Sequence, residues 1–510
     1  MKVPLTVVDF LRRAEQVYGD RIAVVDEPDQ PAESWGSLTW KQVAERARAQ
    51  AAGLDALGIA QGDRVAMITQ NSARLLTAFY GVSGSGRILV PINFRLVAEE
   101  VQYIVKHSGA RVLLIDPELE AAMAPVECEH KMIIGAETDK LLYHYGVTPA
   151  PWEPDEDATA TINYTSGTTA RPKGVQLSHR TIWLNATTFG WHTGVSDRDV
   201  YLHTLPQFHC NGWGMVYGVT GMGGKHIILR KIDGGEILRR VEKYGVTLLC
   251  AAPAVLAATL DAAAMWDGPI PGRDRVRVVV AGAPPPSRLI ERIETELGWE
   301  FIQIYGLTET APLLTMNRRR AEYDDLTPAE RAVKLSRAGA PAIGVETKTS
   351  ETGEVLARSN VVMVGYWDQP EATAEAIQDG FFHTGDGGSI EDSYLTIQDR
   401  KKDVIISGGE NVSSIEVEDA LFQHLDVTEV AVIGIPDEKW GELVIALVVT
   451  VPGSTLTEAE LIAFTKTKLA SYKCPKRIEF RPELARTATG KLQKFKLRAP
   501  YWEGFVRQVN

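Results

Sequence analysis

Apolar and polar residues follow two different periods along this chain. Over 40–58, WKQVAERARAQAAGLDALG, apolar positions recur every three to four residues, which predicts an amphipathic helix closed by Gly58. GDRVAMI then predicts a turn and a short apolar strand; a further helical segment follows, and ILVPIN reads as the next strand. RVLLID at 111–116 and VRVVVAGA at 276–283 are further runs of the buried-strand type. Strands alternating with helices predict α/β layers around a largely parallel sheet. The end of the chain differs. VEDALFQH, VTEVAVIGI, ELVIALVVTV and LTEAELIAFTKTKLASY predict a small α+β unit. The charged turn DRKKD at 399–403 separates the two patterns, so the domains are placed at 1–398 and 399–510.

Composition narrows the class. A chain of 510 residues exceeds what one hydrophobic core organises, so several subdomains are expected. With 45% hydrophobic and 24% charged residues, the profile is that of a globular protein in water. The net charge of −12 opposes general binding to nucleic acid or to anionic membranes. The four cysteines, Cys128, Cys210, Cys250 and Cys474, form no CxxC pair, so neither a zinc nor a disulfide framework is expected, and a reducing cytoplasm fits best. No membrane span or secretory leader is expected, because no apolar run is long enough.

Candidate chemistry concentrates in YTSGTTARPKGV, 164–175. The hydroxyls of Thr165, Ser166, Thr168 and Thr169 can donate to phosphate oxygens, Gly167 lets backbone approach closely, and Lys173 adds a full positive charge. This is not the Walker pattern, since no Ser or Thr follows Lys173. A TSGTT pentamer alone would serve equally as a polar surface turn; the run through PKG is more specific. Further motifs follow in order: AGAP at 281–284, YGLTET at 305–310, HTGD at 383–386, DRKKDVIISGGENVSSIEVE at 399–418 and TATGKLQK at 487–494. Together they resemble the signature series of the adenylate-forming superfamily, which includes acyl-CoA synthetases, luciferases and peptide-synthetase adenylation domains. The resemblance spans nearly the whole chain. LPQFHCNGW at 205–213 is similar to the acyl-gate motif of small fatty-acyl-CoA synthetases.

The resemblance implies a large N-terminal domain of layered α/β subdomains, a small mobile α+β C-terminal domain, and a two-step reaction using ATP, Mg²⁺ and CoA. A carboxylate attacks the α-phosphorus of ATP, pyrophosphate leaves, and the thiol of CoA then takes the acyl group. By matching position, the 165–173 loop would cradle the leaving phosphates, Glu309 would bind Mg²⁺, and Thr308 would contact the α-phosphate. Tyr305 and Gly306, with Gly282, Ala283 and Pro284 opposite, would hold adenine; Asp386 and Arg400 would hold the ribose. Lys491 would be the catalytic cation, Asp399 the hinge, and Ser407, Gly408 and Gly409 the lining of the pantetheine path. His209 would contact the acid, and Trp213 would gate an acyl channel. Lys494 and Lys496 read as surface charges. Cys210 is rejected as a nucleophile, because a mixed-anhydride route needs no enzyme thiol.

The acid implied is aliphatic, medium- or long-chain. Alternatives are loading of a carrier protein, activation of an aryl, amino or inorganic acid, and, from another class, a non-catalytic nucleotide-binding relative. Intact Lys173, Glu309 and Lys491 argue against the last. Relatives of this kind often form homodimers.

Overall fold

The computed structural model describes residues 1–165, 171–282, 284–400, 403–407, 410–437, 440–486 and 492–503. The runs read as buried strands assemble into two large sheets. In the seven-stranded sheet, Ile88–Ile92 lies parallel between Arg64–Ile68 and Thr159–Thr165, and Ala110–Ile115 extends the sheet beyond Arg64–Ile68. Every residue of Ile88–Ile92 is buried, as a strand covered on both faces requires. The nine-stranded sheet is parallel from Ile22–Val25 through Glu300–Tyr305 and closes with antiparallel strands at both edges. A five-stranded antiparallel sheet follows, in which Phe381–Glu391 pairs with Tyr394–Arg400. The C-terminal sheet is built on a long hairpin, Val427–Asp437 with Gly441–Thr450; the helices Ser414–Phe422 and Glu458–Lys466 share its apolar core.

The helix expected over 40–58 runs from Trp40 to Ala56. Thr39 and Gln42 form a reciprocal capping box at its start. It stops short of Gly58, whose φ of +70° places it in the turn beyond the helix. Among the described residues, no helix is long and apolar enough to cross a membrane.

Buried polar groups tie the two large sheets together. The Asn71 side-chain amide donates to the carbonyls of His203, Leu205 and Leu229 at 2.9, 3.1 and 3.0 Å, and its oxygen accepts from the Gln207 backbone N–H at 2.7 Å. Asp116, at the end of the strand Ala110–Ile115, takes a bidentate pair from Arg230 at 2.9 and 3.1 Å, and both side chains are almost fully buried. The contacts of the C-terminal unit include Asp419, which accepts from the Ser287 amide at 3.0 Å, and the His424 carbonyl, which accepts from Arg288 at 2.9 Å.

Burial alone would raise the Asp116 carboxyl; Arg230 and the Thr69 hydroxyl outweigh it and hold the group below its ordinary value. Its contribution is therefore full above the unfolded carboxylate pKa, about 3.9, and fades as pH falls through the lower folded value. Arg230→Met leaves that carboxylate buried without its guanidinium, a loss of about 3–5 kcal/mol. The melting temperature at pH 7 should fall by roughly 5 °C, and the deficit should shrink as Asp116 becomes protonated on acidification. An unchanged melting temperature would show that the pair is not holding the sheets.

Candidate active site

The phosphate-loop motif is closed by two antiparallel strands, Thr159–Thr165 and Lys173–Ser178, in a register that sets Thr165 opposite Lys173 and Tyr164 opposite Gly174. Aromatic side chains brace this base. The Tyr164 hydroxyl lies 2.8 Å from His107 Nδ1, the Trp367 indole donates to the His107 carbonyl at 3.2 Å, and the Arg171 guanidinium lies 5.3 Å from the Tyr103 ring. Burial lowers the His107 pKa, with the nearby Asp368 charge acting against it. Ser166, Gly167, Thr168 and Thr169 lie outside the described residues, as do Ala283, Gly408, Gly409 and Lys491 and the side chains of Asp399 and Arg400.

The strand Glu300–Tyr305 delivers the next motif. Its turn requires glycine at 306: a Cβ there would sit 1.5 Å from the Pro312 carbonyl oxygen. The short helix Thr308–Thr310 follows, pinned where Leu307 N–H donates to the Thr310 hydroxyl at 2.9 Å. Tyr305 packs against the cluster of Ala338, Val355 and Leu395, and its hydroxyl donates to Asp386 at 2.8 Å. Asp386 is 7% exposed, and Arg400 stands opposite it in strand register. The two expected nucleoside contacts, Tyr305 and Asp386, are thus in direct contact with each other. Gly282 and the exposed Pro284 follow the strand Arg277–Val280, the neighbour of Glu300–Tyr305.

Glu309 is held at two points. Its carbonyl accepts from Met363 N–H at 2.7 Å, and its carboxylate accepts from the Tyr366 hydroxyl at 3.0 Å. Lys173 Nζ lies 4.6 Å from the centre of the same Tyr366 ring. Burial, then the Glu309 charge, raises the Tyr366 pKa, so the phenol stays a donor. Among the described residues no group of three or more His, Cys, Asp and Glu could cage a metal. A lone carboxylate nevertheless fits Mg²⁺, which takes one or two carboxylates and completes its shell with water and phosphate oxygens.

The gate-like segment takes an unusual backbone. Cys210, Asn211, Gly212 and Trp213 all have positive φ, from 39° to 55°, making a left-handed turn within His209–Gly214. Each of the three non-glycine residues costs roughly 1–2 kcal/mol there. Asn211 donates to Thr161 at 3.0 Å, the Cys210 thiol meets the Thr308 carbonyl at 3.8 Å, and Trp213 packs with Phe189, Leu205, Met215, Ile304 and Leu313. Burial, then the Glu309 charge, pushes the Cys210 thiol far above its ordinary value, which makes a thiolate nucleophile there unfavourable. His209 precedes this turn, its ring edge-on to Phe208 at 6.3 Å.

At the C-terminal unit, Ser407 is buried and pairs with Glu410 and Gly441. The expectation that Lys494 is a surface charge is wrong. Its ammonium is 2.8 Å from Glu418, the two side chains are 13% and 16% exposed, and it also donates to the Ser414 hydroxyl. Sequence reading also missed Tyr366. Its local signal, GYW following an apolar run, says nothing of a contact with Glu309, 57 residues away.

Residues 11–367 match the AMP-binding enzyme family, and 416–491 match the AMP-binding enzyme C-terminal domain. The chain therefore belongs to the AMP-binding enzyme family. Similar proteins include the 2-methylpropanoate–CoA ligase of Humulus lupulus, 37% identical over 97% of this chain and 95% of that protein. The acetate–CoA ligase of the same plant is 36% identical over 99% and 96%. The solved anthranilate CoA ligase, in complex with anthranoyl-AMP, superposes with a TM-score of 0.87 at 28% identity, covering 98% of this chain and 99% of that one. O-succinylbenzoate coenzyme A synthetase from Bacillus subtilis, solved with ATP and magnesium ion, gives a TM-score of 0.80 at 27% identity over 96% and 99%.

The Gly306 turn gives a direct check. Gly306→Ala must open the turn and shift Thr308 and Glu309, and a displacement of about 1 Å can cost roughly 100-fold in rate. Pyrophosphate release should fall by that order; activity close to that of the unaltered protein would show that the turn absorbs the methyl group.

Proposed function

We infer that this chain is an AMP-forming acid–CoA ligase. The observation that carries the reading is that Lys173 and Glu309 both meet Tyr366, while Tyr305, in the same motif as Glu309, meets Asp386, within a chain of this family. In the first half-reaction a carboxylate oxygen bonds to the α-phosphorus of ATP, and the bond to the β-phosphate bridge breaks, releasing pyrophosphate. Lys173 and the hydroxyls of the 165–169 loop receive the leaving phosphates. Tyr305, Asp386 and Arg400 hold the nucleoside, and Thr308 contacts the α-phosphate. Glu309 would hold Mg²⁺, which would supply positive charge to the phosphate oxygens. Lys491 offsets the repulsion between two approaching anions, an electrostatic role that is needed for one step only. In the second half-reaction the CoA sulfur bonds to the acyl carbon and AMP leaves. Rotation about Asp399 removes Lys491 and brings the 407–409 loop to the pantetheine path.

The acid is aliphatic, and we place it at the short to medium end. Trp213 is 4% exposed and fills the apolar cluster beneath the gate-like turn, which limits the depth left for an acyl chain. Relatives whose names specify 2-methylpropanoate and acetate support the same end of the range.

An acid panel from acetate to long-chain fatty acids, incubated with ATP, Mg²⁺ and CoA, tests this reading when AMP and thioester are read together. Short and branched acids should give the highest kcat/KM. Release of ADP and orthophosphate would overturn the ligase reading, and an optimum on long chains would overturn the assignment of the acid. Lys491→Ala should cost adenylation on the order of 100-fold or more while leaving thioester formation from supplied acyl-AMP far less affected. Equal loss in both halves would remove the proposed role of Lys491.

A further inference from the structure

We propose that Tyr366 is a positioning residue that fixes Lys173 and Glu309 relative to each other, so that the site favours the magnesium complex of ATP over metal-free ATP. The inference rests on the ligase reading. Its basis is one aromatic ring placed between two groups of opposite charge. The phenol oxygen donates to the Glu309 carboxylate at 3.0 Å, and the ring face lies 4.6 Å from Lys173 Nζ. A carboxylate needs a donor, and a cation is drawn to the electron-rich face of a ring. Tyr366 meets both requirements at once.

The ring is itself held in place. Gly365–Tyr366 is a short strand paired antiparallel with the strand of Lys173, with Tyr366 opposite Val175 and Gly365 opposite Gln176. On either side, Val364 N–H donates to the Gln176 carbonyl at 3.0 Å and Trp367 N–H to the Gly174 carbonyl at 2.7 Å. Tyr366 N–H donates to the Thr373 hydroxyl at 2.9 Å, and Met363 N–H donates to the Glu309 carbonyl at 2.7 Å. One short backbone segment therefore sets both the main chain and the carboxylate of Glu309, in register with the strand that carries Lys173. Groups that orient a metal-binding carboxylate in this way commonly change metal affinity by about 10–100-fold when removed.

Calorimetric titration of the full-length protein with ATP, with and without Mg²⁺ and with no acid present, tests the inference without turnover. The unaltered protein should bind ATP more tightly with Mg²⁺ than without it. Tyr366→Phe keeps the ring but loses the hydroxyl; it should reduce that Mg²⁺-dependent gain by about tenfold and leave metal-free ATP binding nearly unchanged. Tyr366→Leu should in addition weaken metal-free ATP binding by about fivefold, through loss of the ring face under Lys173. In a Glu309→Gln background, adding Tyr366→Phe should produce no further change. A Tyr366→Phe protein that keeps the full Mg²⁺ gain overturns the proposal, even if its melting temperature has fallen. So does an equal effect in the Glu309→Gln background. Failure of the unaltered protein to bind ATP under any condition would overturn the ligase reading and this inference with it.

Discussion

The pairing of Thr165 with Lys173 is the constraint on which the site depends. It fixes the width of the base on which the phosphate loop stands. It also places Lys173 at the start of a strand whose other neighbour is Gly365–Tyr366. The amide ladder thereby converts a sequence motif into a geometry: backbone pairing places the lysine and the ring beneath it, and the ring's hydroxyl then meets the carboxylate. Backbone ladders suit this task, because a side chain on a regular strand is located more precisely than one on a loop. Gly174 belongs to the same logic, since a Cβ there would come within 2.9 Å of Ile162 Cγ2 and 3.1 Å of Tyr164 Cζ.

The proposed chemistry also needs something that can move, and the structure divides accordingly. Asn71 and the Asp116–Arg230 pair bind the two large sheets through buried polar groups. Leaving either partner buried alone would be costly, so these sheets move as one body. The C-terminal unit has its own apolar core around Val417, Val430, Val444 and Leu461. The hydrogen bonds it makes through Asp419 and His424 lie in half-buried surroundings, where exchange with water is cheap. That contrast suits a unit proposed to deliver a lysine for one half-reaction and a thiol path for the other. The Lys494–Glu418 pair links the segment after Lys491 to the helix Ser414–Phe422, so both proposed functional faces of the unit belong to one packed body.

Local pattern made much of the fold legible. The helix from Trp40 declares itself by its period; the capping boxes of Thr39 with Gln42 and Thr457 with Glu460 emerge only in the structure. Buried strands declare themselves by unbroken apolar runs such as 88–92. Motif order made the family legible. Sequence could not supply contacts between distant positions: Tyr305 with Asp386 is 81 residues apart, and Tyr366 with Glu309 is 57. It misread Lys494 for a related reason, because a lysine's usual exposure is overridden only by a partner that the local pattern does not show. Nor did FHCNGW announce a left-handed turn, since three of its four left-handed residues, Cys210, Asn211 and Trp213, are not glycine.

That turn shows how the gate-like segment and the proposed phosphate site share their energetics. Three side-chain-bearing residues in left-handed geometry cost a few kcal/mol, on the order of what burying one large apolar side chain returns. The turn therefore persists only while Trp213 stays packed and the Asn211–Thr161 and Cys210–Thr308 contacts stay made. Thr161 belongs to the strand that leads into the phosphate loop, and Thr308 directly precedes Glu309. Strain in the segment proposed to meet the acid is thus balanced by contacts with the two elements proposed to meet the nucleotide. Backbone strain of this kind is maintained where surrounding structure over-determines it, and here the surrounding structure is the site itself.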